Sequence, residues 1–291
     1  MRLDKVFPQI TDPAIDNWLD PHFVATAQGP SRRQQLLVFL SGSYGRPGRQ
    51  LMMMKEAIAL GYPVINLNYP NSWTVAELCQ TCEDKDCHEK IRAEIIDGMK
   101  RSDKIDIGRP NSIENRLVRL LQYLHQQQPE ENWRQYLEGE TPKWEAIVVA
   151  GHSQGGGHAA MIAQERLVAR VVMLSAPADY SPICRDLAPW LAAPHATPSD
   201  RYYGFIHLKD AGLARVQHAW QRLGMGALDS AVNVDDQVPP YHHAQCLITA
   251  AKPARPRKYH GCVANDLHTP KLLNGVPKFQ KVWRYLLAGL E

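Results

Sequence analysis

Short apolar runs alternate along the chain with segments whose apolar residues recur at helical spacing. The runs are nearly continuous, which is typical of strands in a sheet that is buried on both faces. This alternation predicts a three-layer α/β fold, in which a mostly parallel sheet is covered by helices on both faces. Six strands are predicted, at residues 36–40, 63–69, 145–150, 170–175, 202–208 and 245–250.

Helical spacing predicts five main helices, and two long stretches lie between the regular elements. One stretch is an excursion at about 70–110 that we expect to lie over one end of the sheet. The other is an irregular, proline-rich segment at about 177–201. Either could shape a substrate entrance or be surface decoration. The predicted helices are residues 47–60, 111–128, 154–167 and 211–223, and the C-terminal "FQKVWRYLLAGL".

Composition sets broad limits on the class of protein. With 291 residues and 44% hydrophobic content, the chain is expected to form one domain over residues 1–291. No window holds 18 consecutive apolar residues, so no membrane span is predicted. The first residues lack a signal-peptide pattern, which predicts a cytoplasmic protein, or an exported one if a leader precedes them. The net charge of +3 does not favour nucleic acid as a partner.

The cysteines suggest a local disulfide more than a metal site. Cys79, Cys82, Cys87 and His88 form the pattern C-x2-C-x4-C-H. Adjacent cysteine and histidine side chains rarely reach one metal ion, so no metal site is predicted. A disulfide from Cys87 to Cys79 or Cys82 is expected if the protein is exported, and free thiols are expected if it is not.

The stretch "AIVVAGHSQGGGHAA", residues 146–160, carries the clearest chemical signal. An apolar strand ends there, a helix begins, and Ser153 lies between Gly151 and Gly155. A serine hydroxyl is a poor nucleophile unless it is accessible to substrate and lies beside a base. A sharp turn from strand to helix presents it in that way, and very small neighbours are needed where strand and helix approach. The alternative explanation is a glycine-rich turn whose serine has no catalytic role.

This G-x-S-x-G pattern, in its context between strand and helix, resembles the nucleophile elbow of the α/β-hydrolase superfamily, in particular its serine esterases and lipases. The order of strands and helices from about residue 36 to 290 is similar as well. The resemblance implies an α/β-hydrolase fold with Ser153 as nucleophile. It also implies cleavage of carboxylic ester-type bonds through an acyl-enzyme, a small ester or acyl substrate, and no metal or cofactor.

The resemblance further implies an oxyanion hole made of two backbone amides. One belongs to Gln154, which follows the nucleophile. The other belongs to Ser43 in the loop of "LLVFLSGSYGRPG". The family often has His-Gly where this chain has Ser41-Gly42, but that difference removes no required donor. Tyr44 could add a hydroxyl or wall the pocket.

In this family the acid follows the serine along the chain. Asp210 stands at the exit of the strand in "YYGFIHLKDAG" and is the predicted acid. Asp179 is the alternative, because some relatives place the acid there. Asp235 and Asp236 rank third and are better explained as a solvated turn.

The base is expected after the last strand. His260 is the predicted base, because Gly261 would let a tight loop bring its ring over Ser153, and His268 is the alternative. His152 is interpreted as packing against or orienting the turn, and not as the base. Three further histidines are expected to be structural or poorer candidates: His158, His242 and His243.

Two other classes of function remain open from the sequence. One is a non-catalytic binding protein on a hydrolase fold, since a fold does not determine a function. The other is an enzyme with related chemistry, an acyltransferase or a thioesterase. For the hydrolase, a base that works as neutral histidine predicts activity that rises with pH between about 6 and 7.5.

Overall fold

The computed structural model describes residues 1–27, 33–227 and 230–289. Within these ranges the main sheet has nine strands. They are β1 (Arg2–Val6), β2 (His22–Thr26), β3 (Leu36–Leu40), β4 (Val64–Leu67), β5 (Ile147–His152), β6 (Arg170–Leu174), β7 (Tyr202–His207), β8 (Val232–Asn233) and β9 (Cys246–Thr249).

The strand order across the sheet is β1-β2-β4-β3-β5-β6-β7-β9-β8. Strand β2 runs antiparallel to both of its neighbours, and the other pairs are parallel. The predicted α/β class with a mostly parallel sheet is therefore confirmed. All six predicted strands are present, with ends that differ by up to two residues, and β1, β2 and β8 are additions.

The helices occupy the connections between the strands. The five predicted helices are present but shorter than predicted. Four helices that were not predicted, α1, α3, α4 and α5, are also present. In chain order they are α1 (Pro8–Thr11), α2 (Leu51–Ala59), α3 (Val75–Cys79), α4 (Cys87–Asp97), α5 (Gly108–Asn111), α6 (Ile113–Gln127), α7 (Gln154–Glu165), α8 (Leu213–Arg222) and α9 (Gln280–Ala288).

The core is divided in two by the sheet, because successive side chains of a strand point to opposite faces. In β3, Leu36, Val38 and Leu40 belong to the cluster that contains buried residues of α4, α6, α7 and α8. Leu37 and Phe39 belong to the opposite cluster, with residues of α2 and α9. Helices thus cover both faces, as the apolar runs predicted.

The excursion at 70–110 contains α3, α4 and α5. A disulfide joins Cys79, the last residue of α3, to Cys87, the first residue of α4. The thiols of Cys82, Cys184, Cys246 and Cys262 are free. In the described part of the chain, no three His, Cys, Asp or Glu side chains form a group that could hold a metal ion.

None of the helices in the described ranges combines the length and the apolar character that a membrane crossing requires.

Three fully buried histidines make the stability of the fold depend on pH. Burial lowers the pKa of His22, His88 and His158 below the usual 6.5. The charge of Arg116 adds to this at His22 and that of Arg92 at His158, whereas at His88 the charge of Asp179 opposes it. Their rings stay neutral in the folded protein, whereas the unfolded chain takes up protons as the pH falls below about 6.5. The stability that they contribute is therefore complete above that pH and is lost as the pH falls.

We expect the free energy of unfolding to fall between pH 6.5 and 5. Burial raises the pKa of Asp266 to about 6, so the folded protein gains one proton there, which offsets one histidine. Burial also lowers the pKa of His152 to about 3, so the folded protein still binds fewer protons than the unfolded chain, and its free energy of unfolding falls as the pH falls. Urea unfolding at pH 8, 6 and 5 measures this dependence. His158→Gln should reduce it, the exposed control His242→Asn should not, and equal free energies at pH 8 and 5 would contradict the explanation.

Candidate active site

Ser153 lies at the turn between β5 and α7, where the backbone takes an unusual conformation. Its φ of 54° and ψ of −121° place a non-glycine residue in a sparsely populated region, which persists only where the surroundings enforce it. The amide of Ser153 donates to the carbonyl of Leu174 at 2.8 Å, and its carbonyl accepts from the amide of Gly157 at 3.1 Å. The backbone of the serine is therefore held on both sides.

The glycines around Ser153 are required by close backbone approach. A Cβ added to Gly151 would lie 2.3 Å from the carbonyl carbon of Gly155. A Cβ on Gly155 would lie 2.2 Å from the carbonyl oxygen of Leu40 in β3. A Cβ on Gly156 would lie 2.6 Å from that of Ala176. The turn therefore fits between β3, β5 and the segment after β6 only when these positions lack side chains.

The two residues predicted to supply the oxyanion hole lie side by side. Ser43 Oγ donates to Gln154 Oε1 at 3.0 Å. Neither backbone amide donates to an acceptor in the described part of the chain, and Gln154 opens α7, where amides have no helical partner. Asn71 Nδ2 fixes the Ser43 loop by donating to the carbonyls of Gly42 at 2.9 Å and Gly45 at 3.0 Å. Tyr44 is 61% exposed.

The predicted acid and base contact each other. His260 Nδ1 lies 2.8 Å from Asp210 Oδ2, with the carboxylate buried and the imidazole half exposed. Burial alone would raise the pKa of Asp210, but the hydrogen bond and charge of His260 and the amide of Gly212 lower it below its usual value. Asp210 is thus a carboxylate at neutral pH, which favours a proton on Nδ1 and leaves Nε2 as the free ring nitrogen.

Two side chains beside Ser153 hold the backbone of His260. Its carbonyl accepts from His152 Nε2 at 2.9 Å and from Ser175 Oγ at 3.1 Å. Burial, with the charge of His260, lowers the pKa of His152 to about 3. The His152 ring is therefore neutral and donates through Nε2. The ring thus contacts the loop of His260, a contact that the sequence did not predict.

The other candidate bases and acids lie elsewhere. His268 packs against Gly261, where an added Cβ would meet its Nδ1 at 2.2 Å. Asp235 accepts from the Thr249 hydroxyl at 2.8 Å. Four other candidates do not line the cavity that contains Ser153, which is described below. Asp236, His242 and His243 are exposed, and His158 is buried.

Asp179 is engaged by an arginine of the excursion. Its carboxylate forms a bidentate pair with Arg92, with both contacts at 2.6 Å, and accepts from Trp190 Nε1 at 3.0 Å. Burial would raise the pKa of Asp179, but the charge and hydrogen bonds of Arg92 hold it well below its usual value. Asp179 is therefore a fully paired buried ion.

The nucleophile, the predicted base and the two residues of the predicted oxyanion hole all line one cavity of about 210 Å³. Ser153 and His260 both line it, although no hydrogen bond joins the Ser153 hydroxyl to His260 among the described residues. Such bonds are often longer in active sites without substrate. The excursion and the irregular segment both contribute walls. The lining residues are Ser43, Thr74, Val75, Ala76, Arg92, Ser153, Gln154, Ser175, Ala178, Asp179 and His260.

Sequence reasoning missed three residues that organise this site: Asn71, Arg92 and Ser175. Asn71 and Arg92 lie in the excursion, more than 60 positions from Ser153 along the chain. Arg92 stands in the polar-looking helix "CHEKIRAEIID", where a charged residue is expected to face solvent. Ser175 follows β6 with a φ of 52°, and no sequence pattern marks that conformation.

Neither a protein-family model nor a curated protein matches this sequence. Solved structures with similarity to it include esterases and other hydrolases. Thermogutta terrifontis esterase 2 is 11% identical, with a TM-score of 0.43 over 91% of this chain and 88% of that one. Acetyl xylan esterase from Aspergillus awamori is 13% identical, with a TM-score of 0.43 over 77% of this chain and 80% of that one.

S-formylglutathione hydrolase from Staphylococcus aureus is 17% identical, with a TM-score of 0.36 over 62% of this chain. The chain spans 59% of that enzyme, and 58% of the chain in a structure of fluorophosphonate-binding serine hydrolase F from Staphylococcus aureus. These TM-scores are all below 0.5, and the similarity therefore carries no evidence about the reaction of this chain.

Proposed function

We propose that this chain is a serine hydrolase that cleaves carboxylic ester-type bonds through an acyl-enzyme. The observation that carries the proposal is a strained serine, Ser153, in the same cavity as His260, whose Nδ1 lies 2.8 Å from the buried carboxylate of Asp210. A nucleophile, a base and a group that orients the base are the parts that acyl transfer requires.

In the proposed reaction, Ser153 Oγ attacks the ester carbonyl while Nε2 of His260 takes its proton. The amides of Ser43 and Gln154 stabilise the oxyanion that forms. His260 then returns the proton to the leaving alcohol, and the acyl group stays on Ser153. Asp210 holds the imidazole tautomer and stabilises the imidazolium. Water, activated by the same histidine, releases the acid and restores the serine.

The cavity favours a small acyl group. Its volume of about 210 Å³ is below the roughly 300–1,000 Å³ typical of pockets that bury drug-sized ligands. We therefore expect acetyl and butyryl esters to react faster than palmitoyl esters.

A panel of nitrophenyl esters from two to sixteen carbons tests the proposal. We expect saturable hydrolysis with a burst of nitrophenol, as an acyl-enzyme predicts, and a preference for short chains. Parallel reactions with added alcohols and with thioesters would identify an acyltransferase or a thioesterase by its products. Folded protein that hydrolyses none of these substrates would favour the binding-protein alternative.

A further inference from the structure

Gly157 follows the glycines that the turn itself needs, and it faces a different neighbour. A Cβ added there would lie 2.4 Å from Cζ and Nη2 of Arg92 and 2.5 Å from its Nη1. A flexible arginine could normally move away from a methyl group at little cost. Here the guanidinium is buried and paired on its other side with Asp179, so it cannot withdraw without breaking that ion pair. Gly157 therefore leaves the space that Arg92 fills.

Arg92 connects this buried ion pair to the residue after the nucleophile. Its Nη1 donates to the carbonyl of Gln154 at 3.1 Å, while Nε and Nη2 donate to Asp179. The planar guanidinium fixes the direction of all three bonds. A buried ion pair is weak evidence for stability, because desolvation opposes the attraction. Its position against the first turn of α7 indicates a role in geometry.

Gln154 is held at three points by elements distant in sequence. Arg92 of α4 binds its carbonyl. The amide of Val75, at the start of α3, donates to its Oε1 at 2.9 Å, and Ser43 Oγ donates to the same atom at 3.0 Å. The bond from Arg92 restricts the backbone of Gln154 at its carbonyl. The two bonds to Oε1 fix its side chain and tie it to the loop that carries the backbone amide of Ser43.

We propose that Arg92 is a positioning residue, which Asp179 clamps in place, and that it aims the Gln154 amide at the oxyanion of the acyl-transfer transition state. This inference rests on the proposed function. Donors act in an oxyanion hole only when they are already in place, and losing one costs about 10²–10³-fold in kcat. Misdirecting one donor should cost less, about 10–100-fold in kcat, with KM little changed.

The test is a double-mutant cycle between Gly157→Ala and Arg92→Lys. Gly157→Ala keeps both charges and improves helix propensity, but its methyl group displaces the guanidinium. Arg92→Lys keeps a cation for Asp179 but loses the planar fork. Each variant should lower kcat about 10–100-fold. The double variant should be little worse than Arg92→Lys alone, because no guanidinium remains to be displaced.

The readout separates positioning from folding. Exhaustive fluorophosphonate labelling counts the active sites, and kcat is then calculated per labelled site. The affinity for a trifluoromethyl ketone, which forms an oxyanion on the enzyme, should fall by the same factor as kcat. Arg101→Lys is the matched control. Arg101 forms a bidentate pair with Asp97, the last residue of α4, with both contacts at 2.6 Å. The control variant should leave kcat per site unchanged.

Each outcome decides the inference. Lower kcat per site in both variants, with non-additive effects and weaker ketone binding, supports it. Fewer labelled sites with normal kcat per site would show a purely structural role and overturn it, as would additive losses. The proposed function fails separately, if Ser153→Ala hydrolyses esters as fast as the unchanged protein.

Discussion

Replacing Ser153 with alanine is expected to lower kcat/KM for a short nitrophenyl ester by about 10⁴-fold or more. The reason is that the variant has no nucleophile, and water would have to attack with help only from the oxyanion hole and from binding. The fold should be unaffected, because the Ser153 hydroxyl makes no hydrogen bond with any described residue. Initial rates, together with urea unfolding of the same samples, measure both effects.

Ser175→Ala is the matched comparison for this variant. Ser175 lines the same cavity and also has a positive φ, at 52°, but its hydroxyl donates to the carbonyl of His260. The Ser175 side chain also contributes a hydrogen bond that lowers the pKa of Asp210. Loss of these contacts leaves the nucleophile and the base in place and should cost at most about 100-fold in kcat/KM. If the two alanine variants lost activity equally, or if Ser153→Ala retained more than about a tenth of the activity, Ser153 would not be the nucleophile.

Replacing His260 with alanine is expected to lower kcat/KM by about 10⁴-fold, because no other group would take the proton from the serine. Asp210→Asn should cost nearly as much, since an amide in place of the carboxylate favours the wrong imidazole tautomer. His268→Ala is the control, and its activity should stay within about threefold. Steady-state kinetics of the three variants distinguish the two candidate bases.

Two outcomes would contradict the assignment of His260 as the base. A loss in His268→Ala as large as that in His260→Ala would contradict the choice of His260 over His268 as the base. Hydrolysis by His260→Ala at the normal rate would exclude the proposed base.

The parts of the fold that could be predicted from the sequence are those governed by short-range pattern. The strands buried on both faces have continuous apolar runs, and the turn at Ser153 has glycines that the close approach of β3 requires. Strand β1 was missed because it lies at the sheet edge, where four of its five residues are not buried and three are charged. Its charged residues interrupt the run of apolar residues from which the other strands were predicted.

The parts of the site that could not be predicted depend on distant contacts. His260 and His268 lie in one loop and both satisfy the chain order, and only the approach of Asp210 to His260 distinguishes them. Asp179 and Asp210 both follow strands of the sheet, and only the burial of Arg92, 87 residues away from Asp179, shows that Asp179 is paired. Local spacing carries no information about such partners.

The most direct measurement of the central claim is the site of fluorophosphonate labelling on the native protein. A turn that presents one activated hydroxyl predicts a single adduct per chain, found by mass spectrometry on the peptide that contains Ser153. The adduct should be absent after heat denaturation and in Ser153→Ala, and it should form far more slowly in His260→Ala. Folded protein with no adduct on Ser153 would contradict the account.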